Sequence, residues 1–406
     1  MDVFEIEAYS PAQMAARVEK AGITKGNLDP LSTLILAVLA GAFISFGAVL
    51  YTFVIHDATM SLGVTKLLGG LVFCLGLILV IIAGAELFTG NNLIVMAYVS
   101  RKVTANQLLK NWGIVFVGNF LGVLVIVLFI YLSGHLRTTE GAVGLSAIQI
   151  AIAKVNLSFV EALVRGILCN ILVCLAVWLC FSGRSVTDKI LAIIFPITAF
   201  VALGFEHSVA NMYFISTGLV VKNDPLLFQS ALSLSNITLN AENLTIGSFL
   251  IGNLLPVTIG NIIGGGFFVG AVYWFVYLRR SAAEPIRRLM TQGPPSMTPD
   301  TTIAEAVEIM KQHHSHSLLV GKLGSAQGIV VESDIVKKAV LKEFDITTIK
   351  VSEIMSSPLI CADIKTSAYD IYRLLAEKGI RHVVITDNGQ QVGFISVKDL
   401  LRRPII

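Results

Sequence analysis

A chain of 406 residues with 55% hydrophobic and only 14% charged residues cannot be an ordinary soluble protein throughout, where roughly a quarter of residues carry charge. The net charge of +3 arises from scattered basic residues with no basic stripe, so it gives no pointer to nucleic acid and none is expected as a partner. Charges are sparse from Leu31 to Leu278 and reach soluble density after Arg279. An N-terminal segment (1–30), a membrane part (31–280) and a soluble part (281–406) follow from that distribution.

The first segment is polar, carries Asp2, Glu5, Glu7 and Glu19, and does not read as a signal peptide. About 20 apolar residues cross a bilayer as a helix. Such runs lie at 31–55, 67–85, 111–134, 166–183 and 243–278, and another begins at 190–205. Lys and Arg gather after the second run (Arg101, Lys102, Lys110), the fourth (Arg184, Lys189) and the last (Arg279, Arg280, Arg287, Arg288). The remaining connections are poorer, and in 135–165 Arg137, Lys154 and Arg165 are spread out. Basic loops stay in the cytosol, so six spans with both termini cytosolic fit this pattern. Four of the five cysteines (Cys74, Cys169, Cys174, Cys180) sit inside apolar runs as small packing residues; Cys361 does not, and the set has no metal spacing. The triplets at Asn156, Asn236 and Asn243 read as chance.

Two runs are interrupted alike. The second continues as Gly84-Ala85-Glu86-Leu87-Phe88-Thr89-Gly90-Asn91 and the fifth as Gly204-Phe205-Glu206-His207-Ser208-Val209-Ala210-Asn211. The third and sixth share a G-x-x-x-G face, Gly118–Gly122 and Gly260–Gly264, suited to close helix contact. Spans one to three are thus repeated as spans four to six, and an odd number of spans forces the second copy upside down. Broken helices in an inverted repeat place a permeation site near the midplane, because irregular backbone at that depth survives only inside protein or along a cavity. Glu86, Glu206 and His207 are ionisable groups at membrane depth and candidates for that site. The glutamates read as braces for backbone amides freed by the breaks, since a carboxylate lining the path would repel an anion; the alternative is a pore-lining role. His207 reads as a pore residue, with a satisfied core histidine as the alternative. Each half-helix after a break aims its positive end inward, which favours an anion.

These residues resemble the formate–nitrite transporter family. Residues 85–90 (AELFTG) look like its first signature, 166–176 like its second, and 204–212 like its histidine break; residues 10–14 and 39–47 look like the formate-channel branch. The resemblance implies an aquaporin-like all-α protomer assembled as a homopentamer in the inner membrane of a prokaryote, with a pore for formate, nitrite or a similar monovalent weak-acid anion in each protomer. By motif match it implies that Leu87, Phe88 and Thr89 form a mobile constriction loop and that Phe73 and Phe200, flanked by Leu77, form apolar slits. It makes His207 the central pore residue with Thr89 and Asn170 as hydrogen-bonding partners. Lys154 would draw anions into the outer vestibule, Glu206 would stand at the break beside the path, and the helix at 11–20 would be a pH-responsive gate.

The soluble part repeats too. Each half opens on a Met-Pro-containing turn (296–299 and 354–358), then a helix (303–312 and 368–378), two strands (317–320 and 328–331; 382–386 and 392–396), and a further helix from Asp334 or Asp399. This resembles a tandem pair of cystathionine-β-synthase-type (CBS) domains, spanning about 290–345 and 350–404, which implies an adenine-nucleotide ligand (AMP, ADP or ATP). Ser396 and Asp399 match the ribose-holding pair of that family, with His382 at the head of the neighbouring strand. In the first half Val331 stands where the hydroxyl belongs, although Asp334 is kept, so one competent site is expected; a degenerate structural pair is the alternative. His313, His314 and His316 read as a solvated helix end rather than a metal site. No nucleophile–base set supports an enzyme. A neutral-solute channel would carry paired Asn-Pro-Ala motifs, which are missing, and a membrane sensor would not need a duplicated pore.

Overall fold

The computed structural model describes residues 9–235, 240–279, 286–366 and 368–401. Asp2, Glu5, Glu7, the Asn236 triplet, Arg280 and the chain end at 402–406 lie outside the described residues. The chain divides into two compact units, Met1–Arg279 and Arg280–Ile406.

In the first unit, α1 spans Pro11–Gly26, started by a capping box between Ser10 and Gln13 with Pro11 at the first helical position. It therefore runs past Lys20 to include Lys25. Then come α2 (Pro30–Ile55), α3 (Leu62–Ala83), the short α4 (Phe88–Asn91), a 3₁₀ turn at Asn92–Ile94, α5 (Val95–Val99) and α6 (Ala105–Leu132). The connection at 135–165 contains a helix that hydropathy did not show, α7 (Ala142–Val155), which carries Lys154. After it follow α8 (Phe159–Cys180), α9 (Val186–Ala202), α10 (Ser208–Asn223), α11 (Pro225–Leu234) and α12 (Ser248–Leu278). Five of these (α2, α3, α6, α8 and α12) are long and apolar enough to cross a membrane. With 17 residues, α9 falls short of the roughly 20 needed, and α10 continues beyond a break. Helices α6 and α8 begin earlier than the apolar runs because their first turns hold polar capping boxes, Thr104 with Gln107 and Ser158 with Glu161. Much of α12 is wound as π-helix, over Ser248–Leu254, Ile263–Ala271 and Trp274–Leu278.

The two breaks have the same cause. Gly84 ends α3 at φ +79° and Gly204 ends α9 at φ +70°, a left-handed conformation that suits glycine. The glycine faces also act as read. A Cβ on Gly122 would collide with the Val38 carbonyl of α2, and one on Gly264 with the Ile167 carbonyl of α8. Backbone therefore lies on backbone where α6 crosses α2 and where α12 crosses α8.

The second unit contains two three-stranded sheets of one topology. Strands β1 (Ser296–Met297), β2 (Ser317–Val320) and β3 (Gly328–Val331) form one; β4 (Cys361–Asp363), β5 (His382–Asp387) and β6 (Gln390–Ser396) form the other. In each, the first pair is parallel and the second antiparallel. β1 and β4 were not expected, being too short for an alternating pattern. Helices Ile303–Gln312 and Ala368–Lys378 supply apolar faces to two separate cores, around Leu318 and Val330 and around Val383 and Ile395.

Candidate functional sites

Each break in the first unit is held by the same set of side chains. The Asn119 amide on α6 accepts from the Phe88 N–H (2.9 Å) and donates to the carbonyls of Ala37 (2.8 Å) and Glu86 (2.9 Å). Asn261 on α12 accepts from the Ser208 N–H (2.9 Å) and donates to the carbonyls of Gly166 (2.8 Å) and Glu206 (3.0 Å). These asparagines, not the glutamates, satisfy the freed backbone, which corrects the reading of Glu86 and Glu206 as amide braces. A carboxylate only accepts, whereas a carboxamide both donates and accepts, so one asparagine serves an N–H and two carbonyls at once.

The glutamates instead close an ionic clasp. Lys25 Nζ donates to Glu86 Oε1 (2.7 Å), while Asn91 Nδ2 donates to Glu86 Oε2 (2.6 Å) and to Asn111 Oδ1 (2.9 Å). In the second copy Lys154 Nζ donates to Glu206 Oε1 (2.8 Å), while Asn211 Nδ2 donates to Glu206 Oε2 (2.6 Å) and to Asn253 Oδ1 (2.8 Å). Asn111 returns a bond to the Lys25 carbonyl and Asn253 to the Lys154 carbonyl. Thus α7 is the counterpart of α1, and Lys154 of Lys25. Lys25, Asn111 and Asn253 were missed in the sequence, and the Gly-Asn pairs at 118–119 and 260–261 were read for their glycines alone.

Two cavities approach the breaks from different sides of the helices. The first, about 290 Å³, is lined by Arg17, Lys25, Glu86, Lys189, Leu77 and Leu87, among others. The second, about 400 Å³, is lined by Lys66, Lys154, Glu206, His207, Phe73 and Phe200, among others. Phe73 and Leu77 are one helical turn apart on α3 yet face different cavities, so these side chains are part of the partition between the two. Its second-cavity side is aromatic. Phe73 meets Phe200 edge to face at 5.8 Å, and Phe200 stacks on the His207 ring at 5.9 Å.

His207 caps α10: its Nδ1 accepts from the Ala210 N–H (3.0 Å). The hydrogen must therefore sit on Nε2, which donates to Thr89 Oγ1 at 2.9 Å. Thr89 itself is fully buried, and its carbonyl accepts from Asn170 Nδ2 (3.2 Å) and Cys174 Sγ (3.3 Å). Asn170 Oδ1 is buried and has no hydrogen-bond partner among the described residues. The structure therefore gathers Thr89, Asn170 and His207 into one polar spot inside an otherwise apolar partition formed by Leu77, Leu87, Phe73 and Phe200.

Phe88 is not brought to that spot. Its buried ring packs instead onto Phe116 (5.1 Å) and Trp112 (6.2 Å). Lys154 lies on the second cavity but is committed to Glu206, with its side chain 15% exposed and its ammonium 5.4 Å above the Phe214 ring.

In the second unit Ser396 and Asp399 lie together: Asp399 Oδ2 accepts from Ser396 Oγ (2.6 Å) and Ser396 N–H (2.9 Å). His382 pairs directly across the sheet with Ser396. Burial pushes its imidazole down to about 4, and its buried Nδ1 has no hydrogen-bond partner among the described residues. The three expected residues therefore share one corner of the β5–β6 sheet. His316 is not alone, since its Nδ1 lies 2.9 Å from Glu332 Oε1.

Comparison with known proteins matches residues 12–275 to the formate/nitrite transporter family and residues 286–340 and 351–405 to CBS domains. The formate channel FocA of Escherichia coli (strain K12) is 47% identical over 274 residues, covering 67% of this chain and 95% of that protein. The formate channel FocA of Haemophilus influenzae is 40% identical over 266 residues, covering 65% of this chain and 93% of its own. A solved pentameric formate channel with formate bound superposes with a TM-score of 0.57 at 42% identity, covering 62% of this chain and 98% of the other.

Proposed function

The chain belongs to the formate/nitrite transporter family and carries a tandem CBS pair, and on that premise we propose that it is a pentameric membrane channel or proton-coupled transporter for formate and similar small weak-acid anions, regulated by adenine nucleotide bound at the CBS pair. The observation that carries the reading is the apolar partition with its polar spot at Thr89 and His207, set between two cavities that each hold two lysines.

A bare monovalent anion entering the partition would lose its hydration to the faces of Phe73 and Phe200 and the side chains of Leu77 and Leu87, which is costly. A weak acid avoids most of that cost by crossing with a proton; chloride has no such route. Lys25 and Lys154 raise anion concentration at the two mouths. Each is tied to a glutamate, so its pull is short-ranged, and the cavity offers attraction without a deep trap. With Nδ1 occupied by the Ala210 amide, His207 offers a neutral N–H donor, and protonating it would sacrifice the cap of α10. The proton that travels with the anion therefore comes from cavity water, and the His207–Thr89 pair orients the passing carboxyl. Formate and nitrite obey the same physics, and the likeness to channels named for formate favours formate.

For the second unit, the corner at His382, Ser396 and Asp399 provides a carboxylate and a hydroxyl suited to ribose hydroxyls, beside a neutral imidazole. A nucleotide there regulates flux only through different affinities for open and closed states. Formate, nitrite and chloride flux into proteoliposomes, measured across pH with and without AMP, ADP or ATP, tests both parts beside His207→Ala and Asp399→Ala. Expected are formate flux that rises as pH falls, negligible chloride flux, and a nucleotide effect that Asp399→Ala abolishes. Chloride moving as fast as formate would refute the partition argument, and flux indifferent to nucleotide would refute regulation.

A further inference from the structure

The first half of the CBS pair keeps an acidic residue, Asp334, at the place corresponding to Asp399, yet its surroundings differ. Asp334 Oδ1 forms an ion pair with Lys338 Nζ at 2.9 Å. Its Oδ2 accepts from the Val331 N–H (3.3 Å) and from Ser356 Oγ (3.5 Å). The Lys338 ammonium is itself fixed, donating to the Ile354 carbonyl (2.8 Å) and reaching Ser356 Oγ (3.4 Å). The segment carrying those acceptors is sewn to β3 by paired bonds between Ile329 and Ser356 (3.1 and 2.9 Å). Met355 covers Gly328 closely enough that a Cβ there would lie 2.5 Å from its Sδ.

In the second half, Thr291 bonds with Phe394 as Ser356 does with Ile329, but among the described residues the Asp399 carboxylate bonds to Ser396 and not to Thr291. Asp399 Oδ2 is held by Ser396, and among the described residues nothing hydrogen-bonds to its Oδ1. Arg403, at the place corresponding to Lys338, lies outside the described residues.

We propose that Lys338 is a built-in occupant of the first half, where its ammonium takes the carboxylate that a ribose would otherwise use, so that the pair accepts one nucleotide per chain, in the second half alone. This rests on the nucleotide reading given above. Two features enforce the closure independently: Val331 supplies no hydroxyl, and Lys338 neutralises Asp334 while fastening the connection at 354–356 to the first half. A ribose would have to replace an ion pair with bonds from uncharged hydroxyls and free an ammonium from a backbone carbonyl, an exchange that favours the internal partner.

The test is nucleotide stoichiometry on the full-length protein in detergent, titrated separately with ATP, ADP and AMP, beside Asp334→Asn, Asp399→Asn and the double variant Val331→Thr/Lys338→Ala. Expected are one site per chain in the wild type, affinity unchanged within about twofold in Asp334→Asn, loss of at least about tenfold in Asp399→Asn, and two sites in the double variant. Two sites in the wild type overturn the proposal, as does a loss in Asp334→Asn equal to that in Asp399→Asn. A double variant that folds and still binds only once overturns the role of Lys338. Should that variant not fold, the comparison of Asp334→Asn with Asp399→Asn decides. No site in the wild type but one in the double variant would refute the second-half site while upholding the closure; no site in either would refute the nucleotide reading and this inference together.

Discussion

Replacing Lys154 with methionine keeps most of the side-chain volume and removes the ammonium from Glu206. The Glu206 side chain is 4% exposed and Lys154 is 15% exposed, so the carboxylate is left with only the amides of Asn211 and Asn253. Removing one partner of a buried ion pair costs roughly 3–5 kcal/mol, a large fraction of the ~5–15 kcal/mol that holds a domain folded. Lys25→Met performs the same operation on the first copy, where the side chains are 32% and 8% exposed. Solvent screening reduces that loss to about 1–2 kcal/mol. Adding Glu206→Gln to Lys154→Met removes the stranded charge and should recover most of the stability. Unfolding of detergent-solubilised protein, followed by heat and by denaturant, ranks the variants, and formate flux in proteoliposomes shows whether the survivors conduct. The reasoning is refuted if Lys25→Met destabilises more than Lys154→Met, or if the double variant is less stable than Lys154→Met alone.

Other expectations follow from the same geometry. Thr89→Val leaves the His207 Nε2–H buried without an acceptor, a loss of about 1–3 kcal/mol, so formate flux should fall about tenfold or more while Thr89→Ser retains it. Gly264→Ala meets the Ile167 carbonyl and should abolish folded protein on size exclusion, whereas Gly84→Ala, strained only by its positive φ, should lower stability by about 1–2 kcal/mol. His382, with its imidazole pushed down to about 4, is neutral when folded but binds a proton below about 6.5 when unfolded. Its contribution is thus complete above pH 6.5 and is lost as pH falls toward 4, so hydrogen exchange at β5 and β6, corrected for intrinsic rates, should quicken over that window in the wild type and less in His382→Phe.

The duplicated breaks were legible because Gly, Glu and Asn recur there within eight consecutive residues, and a helix break at membrane depth has few physical explanations. Less legible was what holds them. Lys25 and Glu86 are far apart in sequence, as are Lys154 and Glu206, and no local pattern announces such a pair. Helix α7 escaped notice because 14 residues containing Gly144, Ser146, Gln149 and Lys154 fit neither a span nor a soluble amphipathic helix. Without α7, the sequence offered no partner for Lys154. The motif drew attention to 87–89 but could not show that Leu87 lines a cavity and Thr89 meets His207 while Phe88 packs on Phe116 and Trp112. In the soluble part, Val331 was visible as a missing hydroxyl, whereas the Lys338 bond depends on a helical turn that brings its ammonium back to Asp334.

The paired breaks also give the molecule an internal control. Glu86, Asn91, Asn111, Asn119 and Lys25 have identical counterparts in Glu206, Asn211, Asn253, Asn261 and Lys154, so architecture is what the two copies agree on. They disagree where polarity meets the path: Leu87 stands opposite His207, and Thr89 opposite Val209. The two copies therefore differ in polarity at these positions, giving a nearly symmetric scaffold a chemical front and back. Reversing that polarity would take exchanges at both positions, Leu87 with His207 and Thr89 with Val209, which makes sidedness a property of a few side chains rather than of the helices that carry them.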